Sequence, residues 1–351
     1  MSKKPPLFQT VVALNYLPFA LTLAESLHKQ IPVSRLCVLI TDATSSLLAR
    51  VRHEFGPEIE FIGCDDLGQQ ALGNAREYYS ILEFNSACKV LALDYQIRVR
   101  GELECYFIDP DMLVLGDFCE LARTQGRDIV VTPHAMRPYP DDGQLPTDTE
   151  LAAAGYVNGG FIYVRNSKRA NEVLSWLVRQ TRYGWFVAPE YGMYADQHWL
   201  SMSLFVFEEA VGLLRSPAIN IAYWNLHERP LSDTGNEIWV CGDARQRALL
   251  FHFSGFSVPS GGHLTKHAHR RFDMETQRAI ANLIDRYEGL LNSHQQRVAS
   301  SAIHGDLKFS RAPLAVRMKR AQVLWGHRFL EFAPPTGRFS RLGKALDRLL
   351  S

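Results

Sequence analysis

The opening sixty-odd residues constrain the fold more than any other part of the chain. "QTVVALN" is a short β-branched run, and "LPFALTLAESLHKQ" follows it with Leu17, Ala20, Leu21, Ala24 and Leu27 at helical spacing. "RLCVLITD" is a second apolar run ending on Asp42. "ATSSLLARVRHEFG" is again helical, with Gly56 at its end, and "IEFIGC" is a third strand. Strands alternating with helices predict a mainly parallel α/β sheet. Ligands of such sheets bind beyond the carboxyl ends of the strands. Ala13, Asn15 and Asp42 stand at those ends and are candidate cofactor-binding positions.

The pattern continues beyond them. "EYYSILEFNSACKVLALDYQIRV" reads as a long helix with Glu83, Asn85 and Lys89 on its polar side. "CYFIDPD" and "RDIVVTPHA" are strands, and "MRPYPDDGQLPTD" is a polar loop. "GYVNGGFIYVRN" is a strand interrupted by Gly159-Gly160, and glycines there mark a close approach of backbone to another group. "KRANEVLSWLVRQTRYG" and "YADQHWLSMSLFVF" are helical, "RSPAINIAYWNLHER" is irregular, and "RALLFHFSGF" is a last strand. From about Lys266 the pattern is helical. The expected organisation is an α/β catalytic domain over 1–265 and a helical, basic extension over 266–351.

"CYFIDPDMLVLGDF" raises the chemical question. Asp109 and Asp111 close a buried strand on either side of one proline, which fixes φ and stiffens the turn. Two carboxylates so close raise each other's pKa unless a cation lies between them. A hard divalent ion, Mg²⁺ or Mn²⁺, fits that need; an Asx-type turn facing water is the plain alternative. The apolar runs on both sides, and a third acid at Asp117, favour a metal. A strand ending in DxD also suggests a phosphatase of the haloacid dehalogenase type, with Asp109 as nucleophile. Leu113 stands where that motif needs Thr or Val, and Arg247 in "CGDARQR" stands where its last metal acid should be.

"YFIDPDMLV", "YVNGGFIYVRN", "YADQHWL" and "FHFSG", in that order, resemble glycosyltransferases of the GT-A fold. The likeness is to the family-8 type that includes glycogenin and bacterial lipooligosaccharide galactosyltransferases, and it spans roughly residues 8 to 270. The resemblance implies a Rossmann-like, mainly parallel sheet flanked by helices. It implies transfer of a hexose from a nucleoside-diphosphate sugar, most readily a UDP-sugar, to an acceptor hydroxyl with retained configuration. It further implies Asp109, Asp111 and His252 as metal ligands, with Asp109 also on the ribose. Asn158, Gly159 and Gly160 would meet the donor sugar, and Asp196 and Gln197 would flank the anomeric carbon. Apart from the likeness, His252 could be a core histidine and Asp196 a helix N-cap. The family's lysine shortly after the histidine is displaced to Lys266. Lys89 is the candidate basic residue facing the donor, or else a solvated helix lysine. A nucleotide-sugar or glycan binding module without turnover would use the same residues.

Composition narrows the partners. The chain has 351 residues, 46% of them hydrophobic and 21% charged, as in a soluble globular protein. Six cysteines form no CxxC pair and lie mostly in apolar runs, which suits free thiols in a reducing compartment. The start lacks the apolar core of a signal peptide, and no stretch reaches the ~18 apolar residues of a membrane span. A cytoplasmic protein is expected. Residues 307–351 carry ten Lys or Arg against Glu331 and Asp347, in a chain whose net charge is only +1. Such a basic amphipathic tail suits either the anionic inner face of a membrane, with a lipid-linked acceptor, or packing on the catalytic domain. Glycan and protein acceptors stay open, Tyr223 and Trp224 being candidates to line their cleft. A nucleic-acid partner is not expected, because the rest of the chain is acidic.

Overall fold

The computed structural model describes residues 4–68, 79–182, 184–189, 192–267, 271–301 and 303. The alternating start folds as its periodicity predicts: β1 (Leu7–Val12), α1 (Leu17–Gln30), β2 (Arg35–Ile40), α2 (Ser45–Phe55) and β3 (Ile59–Gly63). Then come α3 (Ile81–Asp94), β4 (Glu104–Ile108), β5 (Met112–Val114), α4 (Cys119–Arg123), β6 (Ile129–Pro133), α5 (Asp148–Ala154) and β7 (Val157–Arg165). They are followed by α6 (Lys168–Gln180), β8 (Val187–Ala188), β9 (Met193–Tyr194), α7 (Ala195–Val206) and β10 (Val211–Leu213). The chain ends, within the described residues, with β11 (Leu231–Asp233), β12 (Ile238–Cys241), β13 (Arg245–Arg247), β14 (Leu250–His252) and α8 (Met274–Ser300). Local chemistry sets several helix starts. Thr44, Ser80, Ser167 and Asp273 each accept a backbone N–H from the first turn of the helix they precede.

The seven-stranded sheet has the order β10-β6-β7-β4-β1-β2-β3. Its pairs are parallel except those of β7, which runs antiparallel to both β4 and β6. That one reversal brings the start of β7 to the edge where β1, β2 and β4 end. Alternation along the strands splits the core in two. In β4, Cys105 and Phe107 pack with α3 and α6, whereas Tyr106 and Ile108 pack with α1 and α2. Each such aromatic or aliphatic side chain, fully buried, contributes about 1.5–3 kcal/mol.

A third cluster joins the C-terminal helix to the body. Ile280, Leu283, Ile284 and Tyr287 of α8 pack against Leu113 of β5, Val240 of β12, and Phe251 and Phe253 around β14. The described part of the helical extension is therefore built into the α/β body. The basic stretch 307–351 lies outside the described residues.

Candidate functional site

The "DPD" turn connects β4 to β5, and β5 pairs antiparallel with β14, placing Met112 opposite His252. The carbonyl of Asp111 accepts the backbone N–H of Phe253 at 2.8 Å, and the N–H of Asp109 donates to Gly160 O at 2.9 Å. Two strand ends and the start of β7 are thus fastened at one point. His252 Nε2 lies 3.1 Å from Asp111 Oδ1, and His252 Nδ1 lies 3.0 Å from Asn220 Oδ1.

Asp109, Asp111 and His252 each offer one ligand atom, all within 4.8 Å of one another. Cis ligands of an octahedral ion at about 2.1 Å stand roughly 3 Å apart, and the 3.1 Å between His252 Nε2 and Asp111 Oδ1 is the spacing of two such ligands of Mg²⁺ or Mn²⁺. The oxygen-rich set with one imidazole also fits Mn²⁺. An Asx turn facing water is not what forms: the His252 ring is 4% exposed, and both aspartates are only partly exposed. Asp117, the third acid, stays outside. It is exposed and accepts the N–H of Cys119 at 2.9 Å, in the turn that leads into α4.

Lys89 is no solvated helix lysine. Its side chain is 14% exposed and turns inward, with Nζ 2.8 Å from Asp109 Oδ1, 3.3 Å from Asp196 Oδ2 and 3.3 Å from Gly159 O. Burial works to lower the ammonium's pKa, but the two carboxylates outweigh it and hold it well above the ordinary lysine value. Burial pushes Asp109 up despite Lys89, and the charge of Asp111 adds to the rise. Burial opposes ionisation of Asp111 too, yet the adjacent His252 leaves it below the usual carboxylate value.

The glycine pair has a mechanical explanation. A Cβ on Gly159 would stand 1.9 Å from Asp196 Oδ2, and one on Gly160 would meet Met112 Cε at 2.6 Å and His252 Cε1 at 2.8 Å. Here the close approach is made by the site's own side chains. Asp196 opens α7 from a strained start, because Ala195 holds φ +46°, a left-handed value that few non-glycine residues adopt. Asp196 Oδ1 accepts Ser86 Oγ–H at 2.9 Å, and Ser86 in turn accepts Trp185 Nε1–H at 2.9 Å. Gln197 donates from Nε2 to Ala154 O at 2.7 Å and presents Oε1 to Asn158 at 3.3 Å. Asn158, expected to meet a sugar, is 5% exposed, and its amide is bound by Gly160, Asn220, His134 and Gln197. His134 is buried, which lowers its pKa to about 4 and keeps the imidazole neutral beside that amide.

The remaining expected positions are less central. Ala13 is buried, Asn15 is exposed, and Asp42 Oδ1 accepts Leu14 N–H at 2.8 Å, which ties the segment after β1 to the end of β2. Glu83 is fully buried and takes part in the frame, accepting the N–H groups of Ser80 and Val187 at 2.8 and 2.7 Å. Lys266 is exposed on the loop after β14, where its N–H donates to Gly255 O. Trp224 is buried, edge-on to both His134 and His252 at 5.3 and 5.1 Å between ring centroids, so it packs the site from beneath. Sequence reasoning missed Asn220, Ser86, His134 and Tyr16. Tyr16 is 42% exposed, stacks on Phe19 at 4.6 Å, and is raised in pKa by partial burial and then by the charge of Asp111. Its position directly after Asn15, at the end of β1, was the available signal.

No protein-family model matches the chain. It is similar to the uncharacterised protein YfnF of Bacillus subtilis (strain 168), at 22% identity over 253 residues, 72% of this chain and 82% of that one. Among solved structures it is similar to the galactosyltransferase LgtC in complex with donor and acceptor sugar analogues, at 14% identity, 82% of this chain, 95% of that one and a TM-score of 0.49. It is also similar to mouse xyloside xylosyltransferase 1, at 13% identity, 71% of this chain, 97% of that one and a TM-score of 0.42.

Proposed function

We propose that this chain is a metal-dependent glycosyltransferase that moves a hexose from a nucleoside-diphosphate sugar to an acceptor hydroxyl. One observation carries the reading: a three-ligand set, Asp109, Asp111 and His252, sits at the carboxyl edge of the sheet beside a second acid–amide pair, Asp196 and Gln197. A metal without that pair would suit many hydrolases. The pair without a metal would leave a departing diphosphate unneutralised.

When bound, a divalent ion held by Asp109, Asp111 and His252 supplies positive charge where the leaving diphosphate becomes negative. The chain's own groups do the rest. Lys89 fixes the orientation of Asp109 and Asp196 at once. Asp196 accepts Ser86 Oγ–H on Oδ1, and its Oδ2 lies in an ion pair 3.3 Å from Lys89 Nζ, so the carboxylate charge is held in place. Such a charge favours an oxocarbenium-like sugar. Gln197 Oε1, half-buried at the same place, adds a dipole of the same sense. This arrangement suits a retaining reaction better than an inverting one, which needs an unencumbered base. Ala13, Asn15, Tyr16 and Asp42 form the nucleoside end, with the exposed Tyr16 face available to a base, a uracil by the likeness in motif order.

The acceptor is a glycan, a lipid-linked glycan or a protein, and the reading places the enzyme in surface-glycan or glycoconjugate synthesis. No helix among the described residues is long and apolar enough to cross a membrane. Contact of residues 307–351 with an anionic membrane is tested by liposome flotation with and without them; equal flotation removes it. The function itself is tested by following donor hydrolysis and transfer with Mn²⁺, with EDTA, and in Asp111→Ala. Unchanged turnover in all three sinks the proposal, and tight calorimetric donor binding with no turnover on any acceptor would make the chain a binding module.

A further inference from the structure

His252 is joined to the opposite wall of the site by a row of side-chain amides that permits one direction only. The N–H of Gly160 can only donate, so the Asn158 atom it meets at 2.9 Å is oxygen. Asn220 meets that same oxygen at 2.8 Å, so it presents its Nδ2 there, and this Nδ2 also reaches Thr132 Oγ1 at 2.8 Å. The atom left to Asn220 is Oδ1, 3.0 Å from His252 Nδ1, and an acceptor at that place requires Nδ1 to carry the proton. The other end imposes the same polarity independently. Ala154 C=O can only accept, so Gln197 turns Nε2 toward it and leaves Oε1 to receive Asn158 Nδ2–H. Two backbone groups on separate elements thus agree on every amide between them.

We infer that Asn220 is a positioning residue for both halves of the site: it holds His252 with Nδ1 protonated, so that Nε2 is the ligand atom, and it locks the Asn158 amide that orients Gln197. The backbone at Asn220 is committed to the same task. Asn220 is fully buried and holds φ +56°, a left-handed conformation that asparagine tolerates. Its carbonyl accepts Asn225 Nδ2–H at 3.0 Å and lies 3.5 Å from Arg229 Nη1. Arg229 is 1% exposed and also holds Ile219 O at 2.8 Å, while Asn225 Nδ2 reaches His134 O at 3.0 Å. Strain of this kind persists only where the surroundings over-determine it. With Nδ1 spent on Asn220, Nε2 is the ring nitrogen left to face Asp111 Oδ1 at 3.1 Å: it either donates a proton to that carboxylate or, without one, shares a cation with it.

The inference rests on the metal-dependent reading above, and the experiment separates the two. Mn²⁺ affinity is measured by electron paramagnetic resonance, and kcat and KM by donor turnover, on the full chain and on Asn220→Gly and Asn220→Asp. Glycine keeps the left-handed backbone while deleting the amide. It should lower Mn²⁺ affinity about 10–100-fold. Aspartate keeps an acceptor for Nδ1–H but loses the donor to Asn158. It should hold Mn²⁺ affinity within about threefold of wild type while kcat falls at least about tenfold. That split is one a merely structural residue would not give. Equal affinity and turnover in all three proteins would overturn the inference and leave the proposed function standing. Failure of the wild-type chain to bind Mn²⁺ would remove both. Wild-type protein with ¹⁵N-labelled histidine needs no variant to fold: the Nδ1 of His252 should keep its proton before and after Mg²⁺ is added, and a proton lost from Nδ1 on addition would overturn the inference.

Discussion

Strand β4 carries an acid cluster at each end, and the two are built on opposite charge balances. Before its first residue, Glu102 is 4% exposed and meets two cations, Arg35 at 2.9 Å and Lys4 at 2.7 Å. After its last, three carboxylates (Asp109, Asp111 and Asp196) share one ammonium, Lys89, and one imidazole, His252. Around Glu102 positive charge is in surplus and the contact closes on itself, while Arg123 covers Glu104 at the first residue of the strand. The carboxyl-terminal end is under-supplied, which is the condition for recruiting a cation. Asp128, just before β6, repeats the first pattern, taking Arg165 at 2.7 Å and Arg169 at 2.9 Å. A surplus of acid therefore separates the candidate site from structural ion pairs better than burial does, because both kinds are buried.

The comparison breaks first at Asp111. Asp111→Ala, or EDTA on the intact protein, should cut transfer by roughly 100- to 1000-fold; without metal, Asp111→Ala should change the melting temperature little, because the contact with His252 and the repulsion from Asp109 are lost together. A large fall in melting temperature would mean that the cluster is structural, like its counterpart around Glu102. Gly159→Ala comes next. Its new methyl must displace Asp196 from Lys89, so turnover should drop about 100-fold at a stability cost of about 1–3 kcal/mol, read by a melt and a kcat measurement. Wild-type rates in that variant would show that the Asp196–Lys89 contact is dispensable.

Lys89→Met leaves two partly buried carboxylates without their ammonium, which should cost about 3 kcal/mol. Metal should then restore more stability than it adds to wild type, because a ligand of the folded state recovers stability in proportion to its binding. Equal Mn²⁺-induced shifts of melting temperature in the two proteins would contradict a shared cation pool. The smallest effect belongs to the other end of the strand. Hydrogen bonds from Arg35, against the opposing effect of burial, bring Glu102 from 4.5 down to about 2. Its contribution is present above pH 4.5 and lost as the pH falls toward 2. Glu102→Gln should therefore cost only about 1–2 kcal/mol at neutral pH, because Lys4 is exposed and Arg35 is partly exposed. It should flatten the acid limb of the stability curve between those values and leave kcat untouched.

Much of this was legible along the chain. The first five elements and the α/β class follow from helices of period 3.6 alternating with short apolar runs, because a parallel strand covered on both faces reads as a near-continuous apolar run. The DPD turn announced itself as paired acids after an apolar run, and HFSG as a polar ring closing another. The inward turn of Lys89 was not legible, since an amphipathic helix places a lysine on its polar side whether that side meets water or Asp109. Nor was the role of the glycines. Their spacing called for a close approach, but only the fold shows that the approaching groups are Asp196 and His252. The reversed strand β7 was equally silent, since its side-chain alternation reads the same in either direction.

The sequence by itself determined the local elements and the kinds of donor atom gathered at their ends, because burial pattern and residue chemistry are properties of short stretches. Only the tertiary structure decided which acids share a cation and which way the row of amides points. Those outcomes depend on contacts between residues far apart in the chain, where one backbone N–H at Gly160 fixes the polarity of a histidine that the sequence places ninety-two residues later.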